Sequence, residues 1–389
     1  MGPALGNDNT CVFKDIKDIH GETAPCSSHK VGDKDKPCPV TSSRIHSSGF
    51  SCKELSKLNA QRVTKGRVAL KAATGSSGIT LQGLLGHAMN HTSEVLILEN
   101  VDELMSAGSN NFSFLTSELA KRGYQCFSGE FLSNEYSLPT RRKRVYVIAF
   151  LVPHGKTADA VRSCAEKAVA LAQRLKGAAK APNIMDFLLK PDDEYLESEF
   201  VRRKEAKEQT SETEEKRDAE QWRETYRSQL EAKGLSVSQI VVPPAERRTR
   251  WYQLMSQRMH LVLGHSMATH PSLTSVDVYQ SMSREFISCD KNTLSTLVPG
   301  STVWLRYLKE PRMLLGLEAL LTQGVPLSVA RVAVMNKQVS DSNCMDLAGN
   351  AFSGTVFQAC ALAALVWTPL ATDESSAIVV DAVTSILDL

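Results

Sequence analysis

Cys52 is the residue whose surroundings first suggest covalent chemistry. It lies in the stretch HSSGFSCKELS (residues 46–56), where small residues and one aromatic precede the thiol, and a lysine and an acid follow it. A cysteine acts as a nucleophile in its thiolate form, which a nearby cation or a helix N-terminus stabilises. Lys53 and the helical pattern that begins near Glu54 meet that requirement. The alternative is an inert buried cysteine, so the interpretation depends on the rest of the chain.

Polar side chains also occur where apolar strands begin or end. Glu99 and Asn100 end the run VLILEN, and Arg142 and Arg144 precede the run VYVIAF. The end of a strand is a place where parallel sheets present functional groups, so Glu99 and Asn100 are candidates for a site. The alternative for Glu99 is a carboxylate that only caps the following turn.

From Glu94 onward the chain alternates between strand and helix patterns. The apolar run EVLILENV is followed by an amphipathic helix pattern over residues 112–124 and by a second apolar strand over residues 144–152. Strand, helix and strand at this spacing predict an α/β fold with a mostly parallel, doubly wound sheet.

A polar, irregular middle separates two patterned regions of the sequence. We therefore predict a catalytic N-terminal part over residues 1–154, an inserted recognition region over residues 155–300, and a C-terminal part over residues 301–389 that completes the catalytic domain. Acids outnumber bases in residues 192–233. We interpret this segment as a solvated helix rather than as a surface that follows phosphates.

The overall composition limits the kinds of partner. A net charge of +2 implies no strong general attraction to nucleic acid, so such binding must depend on a local basic patch. The 9 cysteines show no regular disulfide spacing, which indicates free thiols in a reducing compartment. The longest apolar stretch, residues 353–371, is interrupted by Thr, Gln and Pro, and it predicts a buried helix rather than a membrane span.

A metal site can be assembled on paper from residues near the start of the sequence, namely His20, Cys26, His29, Cys38 and His46. Their spacing matches no closed pattern such as two tight Cys-x-x-Cys pairs. The sequence alone therefore predicts a polar surface loop here and no metal.

Five short stretches occur in the same order as the motifs of one protein family: SGFSCKELS, LENV, LPTRRKRVYVIAF, RMLLGLEALLTQGVP and LAGNAFSGTV. Together the chain resembles the cytosine C5 methyltransferases, which use S-adenosylmethionine. The resemblance covers roughly Val12 to Val356 and leaves the middle insert unmatched. It implies a Rossmann-like methyltransferase fold and methyl transfer from S-adenosylmethionine to carbon 5 of cytosine in DNA.

The resemblance gives the candidate catalytic residues their roles. Cys52 stands at the position of the nucleophile that adds to C6 of the base, which makes C5 enamine-like. Glu99 matches the acid that contacts N3 and the exocyclic amine, and Arg142 and Arg144 match the arginines that hold O2 and the nearby backbone. A base inside a duplex must be rotated out to reach such residues, at a cost of a few kcal/mol.

Further residues acquire binding roles in the same way. Asn100 and Lys53 are expected on the substrate side of the site. Asp15 matches the aspartate that bonds the adenine amine of the cofactor, Leu81 the leucine of the adenine pocket, and Asn350 a residue beside the methionine part. A DNA substrate implies a nuclear location, and no membrane is expected.

The sequence departs from the family at three places. The opening strand with its Phe-x-Gly-x-Gly turn and the ribose-binding glutamate are absent, so the first βαβ unit is predicted to be missing. Ser51 replaces the usual proline before the nucleophile, and Thr140 replaces the usual glutamine before the arginines. Gly349, in contrast, matches the family and is expected to allow a close backbone approach.

These departures leave several functions open. The first is methylation of cytosine C5 in DNA through a covalent Cys52 adduct, with little or no turnover by this chain because the glycine-rich cofactor turn is absent. The second is an inactive methyltransferase-like protein that binds DNA. Methylation of cytosine in transfer RNA is a further alternative, and so is a chain that represents part of a longer active protein.

Overall fold

The computed structural model describes residues 11–56, 69–73, 75–106, 108–177, 182–209, 220, 224, 226–232, 234, 236, 249–280, 286–335 and 339–369. These residues fall into two units. Unit 1 comprises Met1–Tyr136, Lys143–Ala179 and Thr355–Leu389, and unit 2 comprises Ser137–Arg142 and Lys180–Gly354, in each case as far as the described residues reach.

Both units contain strands and helices. The strands are β1 Thr23–Val31, β2 Lys34–Pro39, β3 Ile45–Gly49, β4 Val95–Val101, β5 Tyr124–Leu132, β6 Lys143–Leu151, β7 Ser275–Asp277, β8 Ile287–Ser288, β9 Val303–Leu305 and β10 Arg312–Met313. The α-helices are α1 Ala69–Ala72, α2 Ser76–His91, α3 Asn111–Lys121, α4 Ala158–Arg174, α5 Glu194–Gln209, α6 Gln257–Thr269, α7 Gly316–Leu321, α8 Leu327–Met335, α9 Asp341–Asn350 and α10 Gly354–Val366. Short 3₁₀ helices lie at Asp18–His20, Asp102–Met105, Ser133–Tyr136, Ile184–Phe187 and Tyr252–Leu254.

The central sheet of unit 1 has the strand order β3-β4-β6-β5. β3 runs parallel to β4, whereas β6 runs antiparallel to both β4 and β5. The α/β fold is confirmed, but the prediction of a mostly parallel sheet is corrected, because this sheet is mixed. The cause is β5: it has the direction of β4, and the chain then returns through β6 between the two. An apolar run such as RVYVIAFLV does not reveal its own direction.

Helices cover both faces of this sheet. Val95 and Ile97 of β4 pack in one hydrophobic cluster with residues of α4 and α10, whereas Leu96 and Leu98 pack in another with residues of α2 and α3. Successive strand residues point to opposite faces. Both sides of β4 must therefore be apolar, and all of its residues are buried. This two-sided burial explains the uninterrupted apolar run in the sequence.

The segment before the sheet has a different construction. Among the described residues β3 is an edge strand, with β4 as its partner, and strands β1 and β2 form a separate antiparallel hairpin. Ahead of β3 the described residues contain no strand–helix–strand unit, and the loss of the first βαβ unit stays a prediction. The open edge of β3 is where such a unit would continue the sheet.

Unit 2 contains a small sheet with the order β10-β9-β7-β8, antiparallel at each pairing. Its core includes Trp251, Trp304 and Leu317, all of them buried in one hydrophobic cluster. Gly316 begins α7 at a very close approach, since an added Cβ would lie 1.9 Å from the carbonyl oxygen of Asp341. The stretch LLGLEALLTQGVP therefore packs in the core of unit 2.

The predicted three-part division by function stays a prediction, whereas the two units are a division by packing. Helix α4 packs on β5 and β6 and lies in unit 1, which continues to Ala179. Helices α7 and α9 lie in the unit that holds the small sheet, which continues to Gly354. The division follows the two hydrophobic cores rather than the change in polarity along the chain.

Two further predictions concern helices. Part of the charged segment 192–233 forms α5, as expected, but its buried Glu199 pairs with Arg202 and Arg203, so this helix is not solvated on every face. The apolar stretch after residue 353 forms α10, which contributes to the core of unit 1. Within the described ranges, no single helix is long and apolar enough to cross a membrane. Helices α9 and α10 meet the criteria of length and composition only when they are taken together as a bent pair.

Candidate active site

The nucleophile candidate follows the edge strand of unit 1. Gly49, the last residue of β3, lies opposite Glu99 of β4 in a parallel pairing. Cys52 comes three residues later in chain order and is partly exposed. Since both strands end at this edge of the sheet, the Cys52 loop and the Glu99 side chain belong to the same edge.

Hydrogen bonds from the loop to helix α2 hold the nucleophile loop in place. The two oxygens of the Glu54 carboxylate accept the backbone N–H groups of Ser76 (3.1 Å) and Ser77 (2.7 Å) at the start of the helix. Ser51 donates its backbone N–H to Thr80 Oγ1 at 2.9 Å. Burial opposes ionisation of Glu54, but the hydrogen bonds from Ser77 and Ser76 outweigh it, so the pKa of Glu54 lies below its ordinary value. An ionised carboxylate is the group that a helix N-terminus favours.

Asn100 holds the other side of the loop. Its Nδ2 donates to the carbonyl oxygen of Phe50 at 2.9 Å, and its Oδ1 accepts the backbone N–H of Val101 at 2.9 Å. Asn100 is 2% exposed. The predicted substrate contact of Asn100 stays a prediction, and the structure adds a positioning contact that connects the end of β4 with the residues just before Cys52.

Glu99 forms an ion pair with the second of the predicted arginines. Arg144 Nε lies 3.0 Å from Glu99 Oε1, and Arg144 Nη1 donates to the carbonyl oxygen of Lys143 at 2.7 Å. Arg144 reaches Glu99 because β6 is antiparallel to β4, which brings the start of β6 to the end of β4, with Val101 opposite Arg144. The mixed sheet, which the sequence did not predict, is what brings this pair together.

Three strand termini thus converge at one edge of unit 1. The end of β3 supplies the Cys52 loop, the end of β4 supplies Glu99, and the start of β6 supplies Arg144. A thiol, a carboxylate and a guanidinium at one edge can together add a nucleophile to an electron-poor ring and hydrogen-bond its heteroatoms. Lys53 is exposed next to the thiol and adds a positive charge to the same loop.

Arg142 belongs to unit 2 and makes different contacts. Its Nη1 donates to the carbonyl oxygens of Leu297 (3.3 Å) and Gly349 (3.0 Å), and the residue is 3% exposed. These bonds hold backbone segments of unit 2 together. The predicted contact of Arg142 with a base stays a prediction. The expected close approach at Gly349 is present, since an added Cβ would lie 2.3 Å from the backbone nitrogen of Pro299.

The three predicted cofactor residues occupy different surroundings. Asp15 is partly exposed and accepts the backbone N–H of Lys17 at 2.9 Å, and this bond together with the Lys17 ammonium lowers the pKa of Asp15. Leu81 is 0% exposed in the cluster between α2 and the sheet. Asn350 of unit 2 is exposed, and its Nδ2 donates to the carbonyl oxygen of Asp346.

The described residues do not fit S-adenosylmethionine. The carboxylate of Asp15 is engaged by Lys17, and Leu81 is fully enclosed by core side chains. The edge of β3 has no further strand in the described ranges. No step through this cofactor follows from the geometry.

A group of histidines lies beside the nucleophile strand and was not predicted. The ring centroids of His46 and His87 are 4.5 Å apart, as are those of His87 and His91. Burial, and then the neighbouring His87 and His91, lower the pKa of His46 to about 4. Burial also lowers the pKa of His87. Only the i, i+4 spacing of His87 and His91 was visible in the sequence, and it does not identify His46 as the third member.

Sequence comparison assigns the chain to a family. The C-5 cytosine-specific DNA methylase family matches residues 88–364. The match covers most of the chain and includes Glu99, Arg142, Arg144 and Asn350. The chain therefore belongs to this family of methyltransferases, and the resemblance inferred from its motifs is confirmed.

Solved structures of methyltransferases are similar to this chain at low identity. They include the Dnmt2 methyltransferase of S. pombe, with 12% identity, a TM-score of 0.44, and coverage of 83% of this chain and 78% of the other. The methyltransferase EhMeth of Entamoeba histolytica has 11% identity, a TM-score of 0.43, and coverage of 82% and 75%. A DNA modification methyltransferase from an E. coli prophage has 13% identity, a TM-score of 0.26, and coverage of 40% and 37%. At these values the three structures add nothing to the family assignment. No curated protein matches the chain.

Proposed function

We propose that this chain binds cytosine in DNA at the edge of the unit 1 sheet and adds the Cys52 thiolate to C6 of the base. The observation that carries the proposal is the convergence of the Cys52 loop, Glu99 and Arg144 at three adjacent strand termini. Transfer of a methyl group by this chain is expected to be weak, because the described residues do not fit the methyl donor.

The addition assigns one task to each group. The sulfur anion of Cys52 forms a bond with C6, and the electrons of the C5–C6 double bond move to C5. Glu99 takes up a proton and donates it in a hydrogen bond to N3, while its other oxygen accepts the exocyclic amine, and this draws electrons from the ring; Arg144 fixes the Glu99 side chain in place. C5 then takes a proton from water. Loss of a proton from C5 and departure of the sulfur restore cytosine.

The loop contacts support this assignment. Asn100 bonds the Phe50 carbonyl, and Glu54 bonds the start of α2, so the residues on both sides of Cys52 are fixed. A nucleophile held on both sides loses little freedom on reaction, which lowers the barrier. Such anchoring compensates for the missing proline at Ser51.

S-adenosylmethionine is the donor that the family uses, and we expect this chain to bind it poorly. DNA is the substrate that the family description favours, with rotation of the base out of the duplex before addition. Transfer RNA is the alternative substrate, and an inactive DNA-binding protein is the alternative function. A nuclear location follows if the substrate is DNA.

Exchange of the hydrogen at C5 tests the proposal without a methyl donor. Duplex DNA with tritium at cytosine C5 is incubated with the full chain, and tritium released into water is measured. Each cycle of addition, protonation and reversal replaces the label with solvent hydrogen. We expect release by the natural chain, a loss of at least about 100-fold in Cys52→Ala, and no change in Cys164→Ala, which removes a partly buried thiol on α4.

Two parallel measurements separate the alternatives. Isothermal titration with S-adenosylmethionine is expected to show no micromolar binding. Micromolar binding together with methyl transfer would contradict our expectation that this chain binds the methyl donor poorly. If tritium is released from labelled transfer RNA but not from DNA, the substrate is transfer RNA rather than DNA. If the chain binds DNA but releases tritium from neither nucleic acid, the covalent step is refuted, and the remaining function is that of an inactive DNA-binding protein.

A further inference from the structure

The hairpin β1–β2 and the segment before it bring four side chains with metal-binding atoms together. The sulfurs of Cys11, Cys26 and Cys38 and the imidazole of His29 offer ligand atoms that all lie within 4.8 Å of one another. His29 Nδ1 is 3.3 Å from the sulfurs of Cys26 and Cys38, and 3.7 Å from that of Cys11. The sequence had suggested Cys26, His29 and Cys38, but it gave no reason to add Cys11.

These separations match the edges of a tetrahedral zinc site. With bond lengths of about 2.3 Å to sulfur and about 2.0 Å to nitrogen, a tetrahedron places sulfur and nitrogen about 3.5 Å apart and two sulfurs about 3.8 Å apart. The distances of 3.3, 3.3 and 3.7 Å from His29 Nδ1 surround the first value. A group of four ligand atoms within 4.8 Å leaves room for one ion at the centre and for no side chain.

We propose that Cys11, Cys26, His29 and Cys38 bind one zinc ion in a closed, structural Cys₃His site. Thiolate and imidazole ligands favour zinc over the hard cations Ca²⁺ and Mg²⁺, which prefer oxygen. Binding forms three sulfur–zinc bonds and one nitrogen–zinc bond and releases the thiol protons to water. Four protein ligands fill the coordination sphere, so the ion has no open position for catalysis.

The hairpin has the construction that needs such an ion. Of all the side chains on β1 and β2, those that are buried are Ala24, Cys26 and Cys38, whereas Val31 is 66% exposed. An isolated two-stranded hairpin without an apolar face is at best marginally stable in water. Here two of its three buried side chains are the proposed ligands. Zinc takes the place of a hydrophobic core.

The backbone of the hairpin is shaped for the ligands. The pairing of β1 with β2 has an irregularity between Cys26 and Lys30, which contains His29. Such a bulge re-aims side chains that regular alternation would separate. Phe13 forms an antiparallel bridge with Cys26, and Ser27 donates its backbone N–H to the carbonyl oxygen of Val12 at 2.8 Å. These contacts bring the neighbouring Cys11 against β1.

The ion would also hold the segment between Cys11 and Cys26 against helix α2. We call residues 12–22 the strap. Its Ile16 lies so close to Gly83 that an added Cβ there would be 2.7 Å from Ile16 Cγ2. The ring nitrogens of His87 (3.0 Å) and His91 (3.1 Å) lie within hydrogen-bond distance of the carbonyl oxygen of Ile19 in the strap. Since the first residues of α2 anchor the Cys52 loop, the ion would stabilise the helix that supports that loop.

Metal content is the first test of the site. The full chain, expressed with zinc in the medium and purified under reducing conditions, is analysed by plasma mass spectrometry. We expect about one zinc ion per chain, its loss in Cys26→Ser, and its retention in Cys289→Ser, which changes an exposed thiol outside the cluster. Replacement of zinc by cobalt is expected to give the visible bands of tetrahedral cobalt and a thiolate charge-transfer band.

Two variants at His29 separate coordination from packing. His29→Cys supplies a fourth thiolate and is expected to keep the zinc, whereas His29→Ala is expected to lose it. Hydrogen exchange gives an independent readout: a zinc chelator is expected to speed exchange in the hairpin and strap but not in β4 and β6. A chain without zinc that shows no cobalt bands on reconstitution, or that carries a disulfide between two of the three cysteines after reducing purification, would overturn the proposal.

Discussion

Two arginine–glutamate pairs, one in each unit, use the same chemical groups for different ends. Glu318 of unit 2 is 0% exposed and receives Arg312 in a bidentate geometry at 2.6 and 2.8 Å. It also accepts the backbone N–H groups of Leu189 (2.8 Å) and Leu315 (2.9 Å). Both of its oxygens are thus committed to holding distant segments of one core together.

Glu99 of unit 1 has a different geometry. Arg144 Nε lies 3.0 Å from Glu99 Oε1, and Arg144 Nη1 donates to a backbone carbonyl. The pair stands at the terminus of the sheet, beside the loop of Cys52, rather than at the centre of a core. The comparison teaches that burial and charge pairing alone do not mark a functional carboxylate. We propose that the position at a strand end, beside the Cys52 loop, distinguishes the carboxylate of Glu99 from that of Glu318.

The strongest expected effect is on stability, in Glu318→Ala. Removal of this carboxylate leaves Arg312 buried without its partner and removes the acceptor of two backbone N–H groups. Loss of one member of a buried pair costs about 3–5 kcal/mol of unfolding free energy. Urea denaturation measures it. Glu318→Gln removes the charge but retains the shape and one acceptor oxygen, so it is expected to lose less; equal losses in the two variants would mean that the charge alone carries the stabilisation and would contradict the role assigned to the accepted N–H groups.

Glu99→Gln is expected to change stability little and C5 exchange strongly. A neutral amide still fills the space beside Arg144, so the change in unfolding free energy is expected to be smaller than that of Glu318→Ala. The exchange of tritium at C5 is expected to fall by about 100-fold or more, because the amide activates N3 poorly. Glu94→Gln is the matched control. Glu94 also pairs with an arginine, Arg44 at 2.8 Å, but it precedes β4 at the opposite end. An equal loss of exchange in both variants would mean that the fold, not the site, was damaged.

Asn100→Ala tests whether a residue that holds the Cys52 loop in place affects C5 exchange as well as stability. The substitution leaves the buried Phe50 carbonyl without the Nδ2 donor, at a cost of about 1–3 kcal/mol. It is also expected to reduce C5 exchange, because the residues before Cys52 lose an anchor. Asn111→Ala is the control: Asn111 is buried too, and its Oδ1 accepts the backbone N–H of Leu70 at 3.1 Å. Similar losses of stability with exchange reduced only in Asn100→Ala would support the positioning role, and unchanged exchange would refute it.

The sequence predicted the parts of unit 1 that depend on local pattern. Strand β4 and helix α3 lie where the apolar run and the amphipathic pattern placed them, because burial on two faces or on one leaves a visible signature. Strand direction was not predictable in this way, since it depends on β5 returning through β6. The pairing of Glu99 with Arg144 followed from the family motifs, but its geometry follows from that antiparallel return.

Contacts between distant parts of the sequence were beyond the reach of spacing rules. Glu54 was expected to be near a helix start, yet the helix that it caps begins 22 residues later, at Ser76. The spacing of His20, Cys26, His29, Cys38 and His46 matched no closed zinc pattern and did not include Cys11, which the bridge between Phe13 and Cys26 brings close only in the folded hairpin. Ligand sets formed by strand pairing need the register, which the sequence does not contain.

The smallest expected effect concerns the histidines that flank the nucleophile strand. The pKa of His46 is lowered to about 4 by burial and by His87 and His91, whereas an unfolded histidine titrates near pH 6.5. The unfolded chain therefore binds more protons than the folded chain between these values. Stability is complete above about pH 6.5 and falls as the pH drops toward 4. Partial exposure limits the loss to about 1–2 kcal/mol.

Denaturation at pH 7.5 and at pH 5 measures this loss. His46→Gln is expected to flatten the dependence, because an amide does not titrate, while His154→Gln, at an exposed turn after β6, is expected to leave it unchanged. Glu318 and Arg312 do not depend on this cluster, so Glu318→Ala should lose the same stability at both pH values. If the unfolding free energy of Glu318→Ala falls more steeply between pH 7.5 and pH 5 than that of the natural chain, the stability of the two units is coupled. The effects of Glu99 and Glu318 on stability would then have to be compared for the whole chain rather than unit by unit.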